Sequence, residues 1–230
     1  MNRTFKAAAA AFVLAVGFAG SAAAGPYEDG LAAYVKRDYA TAMRLFRLLA
    51  EQGNADAQYN LGVIYHNGLG VPQDYVAAVN WWRKSAEQGN SAGQTGLGLV
   101  YADGLGVPQD YVAAESWWGK AAAQGNAVAQ LNLGIMYDKG KGVRQNYAAA
   151  MSWYRKAAEQ GNVDAQVNLG MMYVEDYVLA HMWLNLAAAS GNPKAAIMRD
   201  LLDKHMTPEQ IAEAQKLARE WKPTPAPAPR

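Results

Sequence analysis

The dipeptide Gly-Asn begins at Gly53, Gly89, Gly125 and Gly161, each 36 residues after the last, and occurs once more at Gly191. Between these marks the text nearly recurs: Gly68 to Tyr75 and Gly104 to Tyr111 both read GLGVPQDY, and Gly140 to Tyr147 reads GKGVRQNY. A chain in such a register folds as a row of equivalent units, each too small to bury its own apolar face and each covered by its neighbours.

Each unit reads as two helices. In the first, Leu61, Leu97, Leu133 and Leu169 are each followed by glycine (Gly62, Gly98, Gly134, Gly170), and three residues on come Tyr65, Tyr101, Tyr137 and Tyr173. These spacings put leucine and tyrosine on one helical face. A glycine inside a helix costs about 1 kcal/mol against alanine, so its return implies that two helix backbones approach closely there. The second helix follows Asp74, Asp110, Asn146 and Asp176, whose short side chains suit the N-cap. It carries Ala78, Ala114, Ala150 and Ala180, then Trp81, Trp117, Trp153 and Trp183, and in the next place Trp82, Trp118, Tyr154 and Leu184. The first aromatic column is expected to fill the seam between units. The second is expected to meet a partner wherever a face of Trp82 or Trp118 stays exposed. Gly-Asn then closes one unit with a left-handed glycine and opens the next with an asparagine cap.

The pattern AQ-x-x-LG-x-x-Y, G-x-GV-x-x-D, A-x-x-W-x-x-KAA-x-x-GN runs through Ala57 to Asn90, with Ser85 for one alanine, and through Ala129 to Asn162; the copy from Gly93 to Asn126 departs at Gly93. It resembles the Sel-one-like repeat family, a branch of the tetratricopeptide-type solenoids. The resemblance implies an all-α, right-handed α-solenoid of stacked helix-turn-helix repeats, with about 12 helices. Hairpins are expected at about 26–52, 53–88, 89–124, 125–160 and 161–190, with capping helices over 193–222 in the same single solenoid. The end copies are shorter: Tyr34 to Tyr39 takes five residues where Tyr65 to Tyr75 takes ten, and Leu45 and Phe46 occupy its aromatic columns. Pro193 to His205 reads as one more helix. Thr207-Pro208-Glu209-Gln210 reads as a capping box that opens a final helix, with Trp221 folding back over the end of the stack.

Arg3 and Lys6, the uncharged stretch Ala7 to Gly20 and the small residues Ala22 to Ala24 have the layout of a cleavable secretory signal peptide, cut after Ala24. At about 14 residues the apolar stretch is short for a membrane anchor, which needs about 20. The expected destination is the periplasm or the medium, with no stable membrane insertion after cleavage. Removing two basic residues leaves 19 Lys+Arg against 20 Asp+Glu, a balance that argues against a nucleic-acid partner. With no cysteine, disulfides and thiolate metal sites are excluded. From Pro223 to Arg230 proline takes every second place, which implies a stiff disordered tail or a ligand for a proline-binding groove.

No catalytic constellation stands out: His66, His181 and His205 are not spaced to share a metal on one helix, and the glycine loops lack the lysine of a phosphate loop. No catalytic residue, cofactor or metal is expected, and the chain is read as a monomer and not an enzyme. The resemblance implies that the first helix of each hairpin lines a concave groove. Its facing residues would be Tyr59, Thr95, Leu131 and Val167, then Val63, Leu99, Ile135 and Met171, with His66 and Asp138 at the margin. Such a strip suits a peptide or protein partner, and the family's regulators and adaptors imply an envelope scaffold. Gln58, Gln94, Gln130 and Gln166 are expected to bond neighbouring repeats or a bound peptide's backbone. The alternatives are a protein that binds or hydrolyses cell-wall fragments or β-lactams, and a luminal adaptor of eukaryotic secretory quality control, which a short Ala-rich chain fits less well.

Overall fold

The computed structural model describes residues 25–225, so the expected signal peptide and the last part of the proline-rich tail lie outside the described residues. Among the described residues the chain is all helical, with the helices of a hairpin packed on each other and, inside each compact unit, on the next hairpin. It divides into two compact units. The first holds α1 (Pro26–Val35), α2 (Tyr39–Glu51), α3 (Ala55–Asn67), α4 (Tyr75–Glu87), α5 (Ser91–Asp103) and α6 (Tyr111–Ala123). The second holds α7 (Ala127–Lys139), α8 (Tyr147–Glu159), α9 (Val163–Met172), α10 (Tyr177–Ala189), α11 (Pro193–Leu202), a 3-10 turn at Asp203–His205, and α12 (Pro208–Glu220).

Both cap columns do what their chemistry dictates. Asn54 accepts a hydrogen bond from the Ala57 amide at 2.8 Å, and Asp74 accepts one from the Ala77 amide at 2.9 Å. In the second unit Asn162 and Asp176 repeat the arrangement at 2.9 and 3.0 Å. Each satisfies an amide that the first helical turn leaves without a partner, an effect of about 1 kcal/mol per cap. Gly53 turns the chain at φ +94°, and the Asn54 amide bonds back to the Leu49 carbonyl at 3.0 Å. The connectors pack just as closely. A Cβ on Gly106 would fall 2.6 Å from the Tyr75 carbonyl carbon, so the loop of one hairpin lies directly on the second helix of the hairpin before it.

The glycine inside each first helix has a different cause from the one the sequence implies. A Cβ on Gly62 would collide with the Trp82 ring, one on Gly98 with the Trp118 ring, and one on Gly134 with the Tyr154 ring. The glycine admits an aromatic ring from its own hairpin, not a second backbone. Trp82, Trp118, Tyr154 and Leu184 are consequently 1%, 0%, 2% and 3% exposed, and this second column offers no face to a partner. Each buried indole N–H is satisfied: Trp82 Nε1 donates to the Tyr59 carbonyl at 3.1 Å, and Trp118 Nε1 to the Thr95 carbonyl at 3.2 Å. Trp81 and Trp117 do fill seams, Trp81 against the α2–α3 cluster and Trp117 against the α4–α5 cluster. Their outer faces carry Lys84 at 4.4 Å and Lys120 at 4.1 Å from the ring centroids, a cation–π arrangement.

The glutamine column joins repeats. Gln58 reaches back to the Ala50 carbonyl at 3.1 Å and accepts from Gln88 at 2.7 Å; Gln166 reaches the Ala158 carbonyl at 3.3 Å. In the first hairpin the structure moves the register by one residue. The Asp38 amide bonds to the Ala33 carbonyl as the Asp74 amide bonds to that of Tyr65, both at 2.9 Å. Ala33, not Tyr34, therefore holds the tyrosine place. Gly30 holds the glycine place, where a Cβ would lie 2.7 Å from the Phe46 ring.

At the far end α12 packs against α10 and does not form a sixth hairpin with α11. The capping box is present at Thr207 and Gln210. Trp221 sets its ring at 72° to that of Trp183, centroids 6.1 Å apart, and the Thr224 amide donates to the Glu159 carbonyl at 2.7 Å. The proline-rich segment thus starts out tied to the end of α8.

One glycine inside a helix has neither a packing reason nor a positive φ among the described residues. Gly119 lies inside α6, and a Cβ there would meet nothing within 4 Å. Gly119→Ala is expected to stabilise the protein by about 0.5–1 kcal/mol, seen as a higher urea midpoint; a lower midpoint would show that the glycine carries a constraint of its own.

Candidate functional site

The face assigned to binding lies on the first helix of each hairpin. In the first unit its residues are mostly occupied. Val63 is buried in a cluster with Trp82, Leu97 and Val100, and Leu99 is 7% exposed. Thr95 donates its hydroxyl to the Ser91 carbonyl at 2.7 Å. Tyr59 is partly exposed at most, and burial, with Tyr34 and Tyr27 close by, pushes its hydroxyl pKa up to about 12. His66 is half-buried between the rings of Tyr75 and Trp82, each with its centroid 5.2 Å away.

In the second unit Leu131 is buried against Ala165 and Leu169, and Val167 against Leu184 and Ala195. Ile135 is half-buried on the Leu131 cluster. Asp138 pairs with Lys139 at 2.8 Å. Met171 is 40% exposed, and Val174 beside it is 74% exposed. Four of the ten expected groove residues, Val63, Leu99, Leu131 and Val167, two from each column, are therefore buried packing residues. The open positions are the edges of Tyr59 and His66, Thr95, Ile135, Asp138 and Met171.

Sequence reading missed a set of bonds that span 18 residues. Arg47 donates to the Tyr65 hydroxyl at 2.6 Å, Arg83 to that of Tyr101 at 3.5 Å, and Arg155 to that of Tyr173 at 2.6 Å. The signal was present as an arginine directly after Phe46, Trp82 and Tyr154, with Gly119 and Asn185 in the other two copies. Among the described residues no three His, Cys, Asp or Glu side chains are grouped to hold a metal ion, and no helix is long and apolar enough to cross a membrane.

Stacked helical hairpins with a repeating frame and a changing outer face define an α-helical repeat protein. The Sel1 repeat model matches residues 20–54, 55–90, 91–126, 127–162 and 163–192, and the chain belongs to the Sel1 repeat family. Its structure is similar to that of a Sel1 repeat protein from Oxalobacter formigenes (TM-score 0.70, 30% identity, covering 86% of this chain and 83% of that one). It is also similar to a protective antigen of uropathogenic Escherichia coli that displays an SLR fold (TM-score 0.52, 33% identity, 86% of this chain). The chain spans 52% of that antigen's length. An immunity protein from Pseudomonas aeruginosa shares the fold at 19% identity (TM-score 0.58, 87% of this chain and 83% of that one). No curated protein matches the chain.

Burial holds the His66 pKa below the ordinary 6.5, and burial also lowers that of His181, although Asp203 lies 3.0 Å from its Nε2 and opposes the shift. Because the unfolded chain binds these protons more readily, their contribution to stability is complete above about pH 6.5 and is lost as pH falls through the folded-state values. An NMR titration of the imidazoles is expected to place both below 6.5; a value above 6.5 for His66 would contradict the packing described.

Proposed function

We propose that this protein is a non-enzymatic adaptor of the bacterial cell envelope, exported to the periplasm, which holds a peptide or protein partner on the first-helix face of its repeats. Sel1 repeat proteins are in general protein-interaction scaffolds. The observation that carries the reading is internal to the chain. Positions that build the frame hardly change from copy to copy: the Gln58, Leu61 and Gly62 columns are the same in all four copies that carry them. The positions beside them do change, as Tyr59, Thr95, Leu131 and Val167 and as His66, Ala102, Asp138 and Val174; Leu131, Val167 and Ala102 are buried, and the other five reach the surface at least in part. A fixed frame with a varied surface is what recognition of one irregular partner needs, since packing alone would keep every copy alike. The leader motif through Ala24 supports export, and a cysteine-free core held by packing alone suits an oxidising compartment without being altered by it.

Affinity capture from the periplasmic fraction of the native cell tests both parts. The captured bait is expected to begin at Gly25. Wild type is expected to retain a protein partner that Met171→Arg loses with no change in thermal midpoint, because Met171 is exposed. An uncleaved bait, or full retention by Met171→Arg, would move the compartment or the site elsewhere.

A further inference from the structure

A second surface lies on the second helix of the first hairpin, away from the face just proposed. Ala40, Met43, Arg44, Arg47, Leu48 and Glu51 follow one another at helical spacing along α2 and line a groove of about 440 Å³. Met43 and Arg47 also line a neighbouring cleft of about 610 Å³, completed by the α3–α4 connector at Val71 and Pro72 and by Val76. The two hollows run together through these shared side chains. Arg47 is held in place by the Tyr65 hydroxyl, and neither Arg44 nor Arg47 has a carboxylate in an ion pair among the described residues. The Asp74 carboxylate at the rim is engaged in capping α4.

The other copies show that the repeat does not need this surface. Where α2 has Arg44, the equivalent places hold Asn80, Ser116, Ser152 and, in α10, Met182; where it has Leu48, they hold Lys84, Lys120, Lys156 and, in α10, Leu186, which is half-buried against the core. Leu45 replaces the tryptophan on which those lysines rest, which removes the reason for a lysine. It supplies none for a leucine that is 51% exposed. The charge is local as well. Between residues 25 and 123 there are seven Lys+Arg against ten Asp+Glu, so two arginines without a carboxylate partner among the described residues stand together on an acidic unit.

We propose that this groove binds an acidic peptide segment, with its carboxylates paired to Arg44 and Arg47 and an apolar side chain set against Met43, Val71 and Val76. Charge complementarity selects the occupant: a guanidinium pair matches carboxylates through directed hydrogen bonds. A broad anionic membrane surface would be repelled by the unit's acidic excess. The site is independent of the first-helix face and stands or falls without it.

The test is fluorescence anisotropy of a short fluorescein-labelled peptide of alternating glutamate and leucine, titrated with the whole exported protein. Saturable binding is expected, weakened about tenfold by Arg44→Glu, weakened by added salt, and unchanged by Lys194→Glu, a charge reversal on an exposed lysine of the other unit. Arg44 is exposed, so its reversal leaves the thermal midpoint in place, whereas Arg47 also supports Tyr65. A matched lysine–leucine peptide is expected not to bind. Absence of saturable binding, equal affinity in Arg44→Glu, or binding to phosphatidylglycerol vesicles in place of the peptide would each overturn the proposal.

Discussion

A large aromatic side chain can enter the middle of a helical hairpin only if the opposite helix gives up its side chain there. Gly62 does this for Trp82, and Trp82 touches a second glycine on its other side: a Cβ on Gly96, in the next hairpin, would lie 2.6 Å from the ring. Burying such a ring removes about 150–250 Å² from water, at most about 4–6 kcal/mol. The glycine's helix penalty is about 1 kcal/mol, so the exchange favours the hairpin by a wide margin. The indole N–H fixes the depth of insertion, because it must reach the Tyr59 carbonyl or remain buried without a partner. Crossing of the two helices, closure of the connector and presentation of the outer columns all follow from where that ring sits.

The periodic text made most of this fold legible. The caps, the turns and the number of helices each depend on residue types whose local chemistry is nearly unambiguous, such as Asn54 or Asp74 before a helix. What stayed hidden depends on direction. Trp81 and Trp82 are neighbours in sequence but about 100° apart around the helix, and nothing in their identity says which one faces the glycine. The first hairpin was misaligned by one residue because Tyr34 imitates the tyrosine column, while Ala33 keeps the hydrogen bond that defines it. The return of α12 was legible in Trp221, read as folding back over the end of the stack, but nothing in the sequence named α10 as the helix that receives it.

Burial on the face assigned to binding was half legible for a related reason. Resemblance assigned the first helix of each hairpin, but on it Val63 and Leu99 in one column and Leu131 and Val167 in the other are buried in packing. The exposed remainder, from His66 to Met171, is narrower and more polar than an apolar strip. On the proposed reading, recognition is written in the positions where copies differ. Those include Arg44 and Leu48 on the second helix as much as Thr95 and Asp138 on the first.

A double-mutant cycle on Gly62 and Trp82 tests the central constraint most directly, with stability measured by urea unfolding of Gly62→Ala, Trp82→Leu and the double variant. If the glycine exists to admit the ring, the alanine costs much less once residue 82 is leucine, and the two changes couple by more than about 1 kcal/mol. Additivity within about 0.5 kcal/mol would show that Gly62 serves some other purpose and that the hairpin does not depend on this fit.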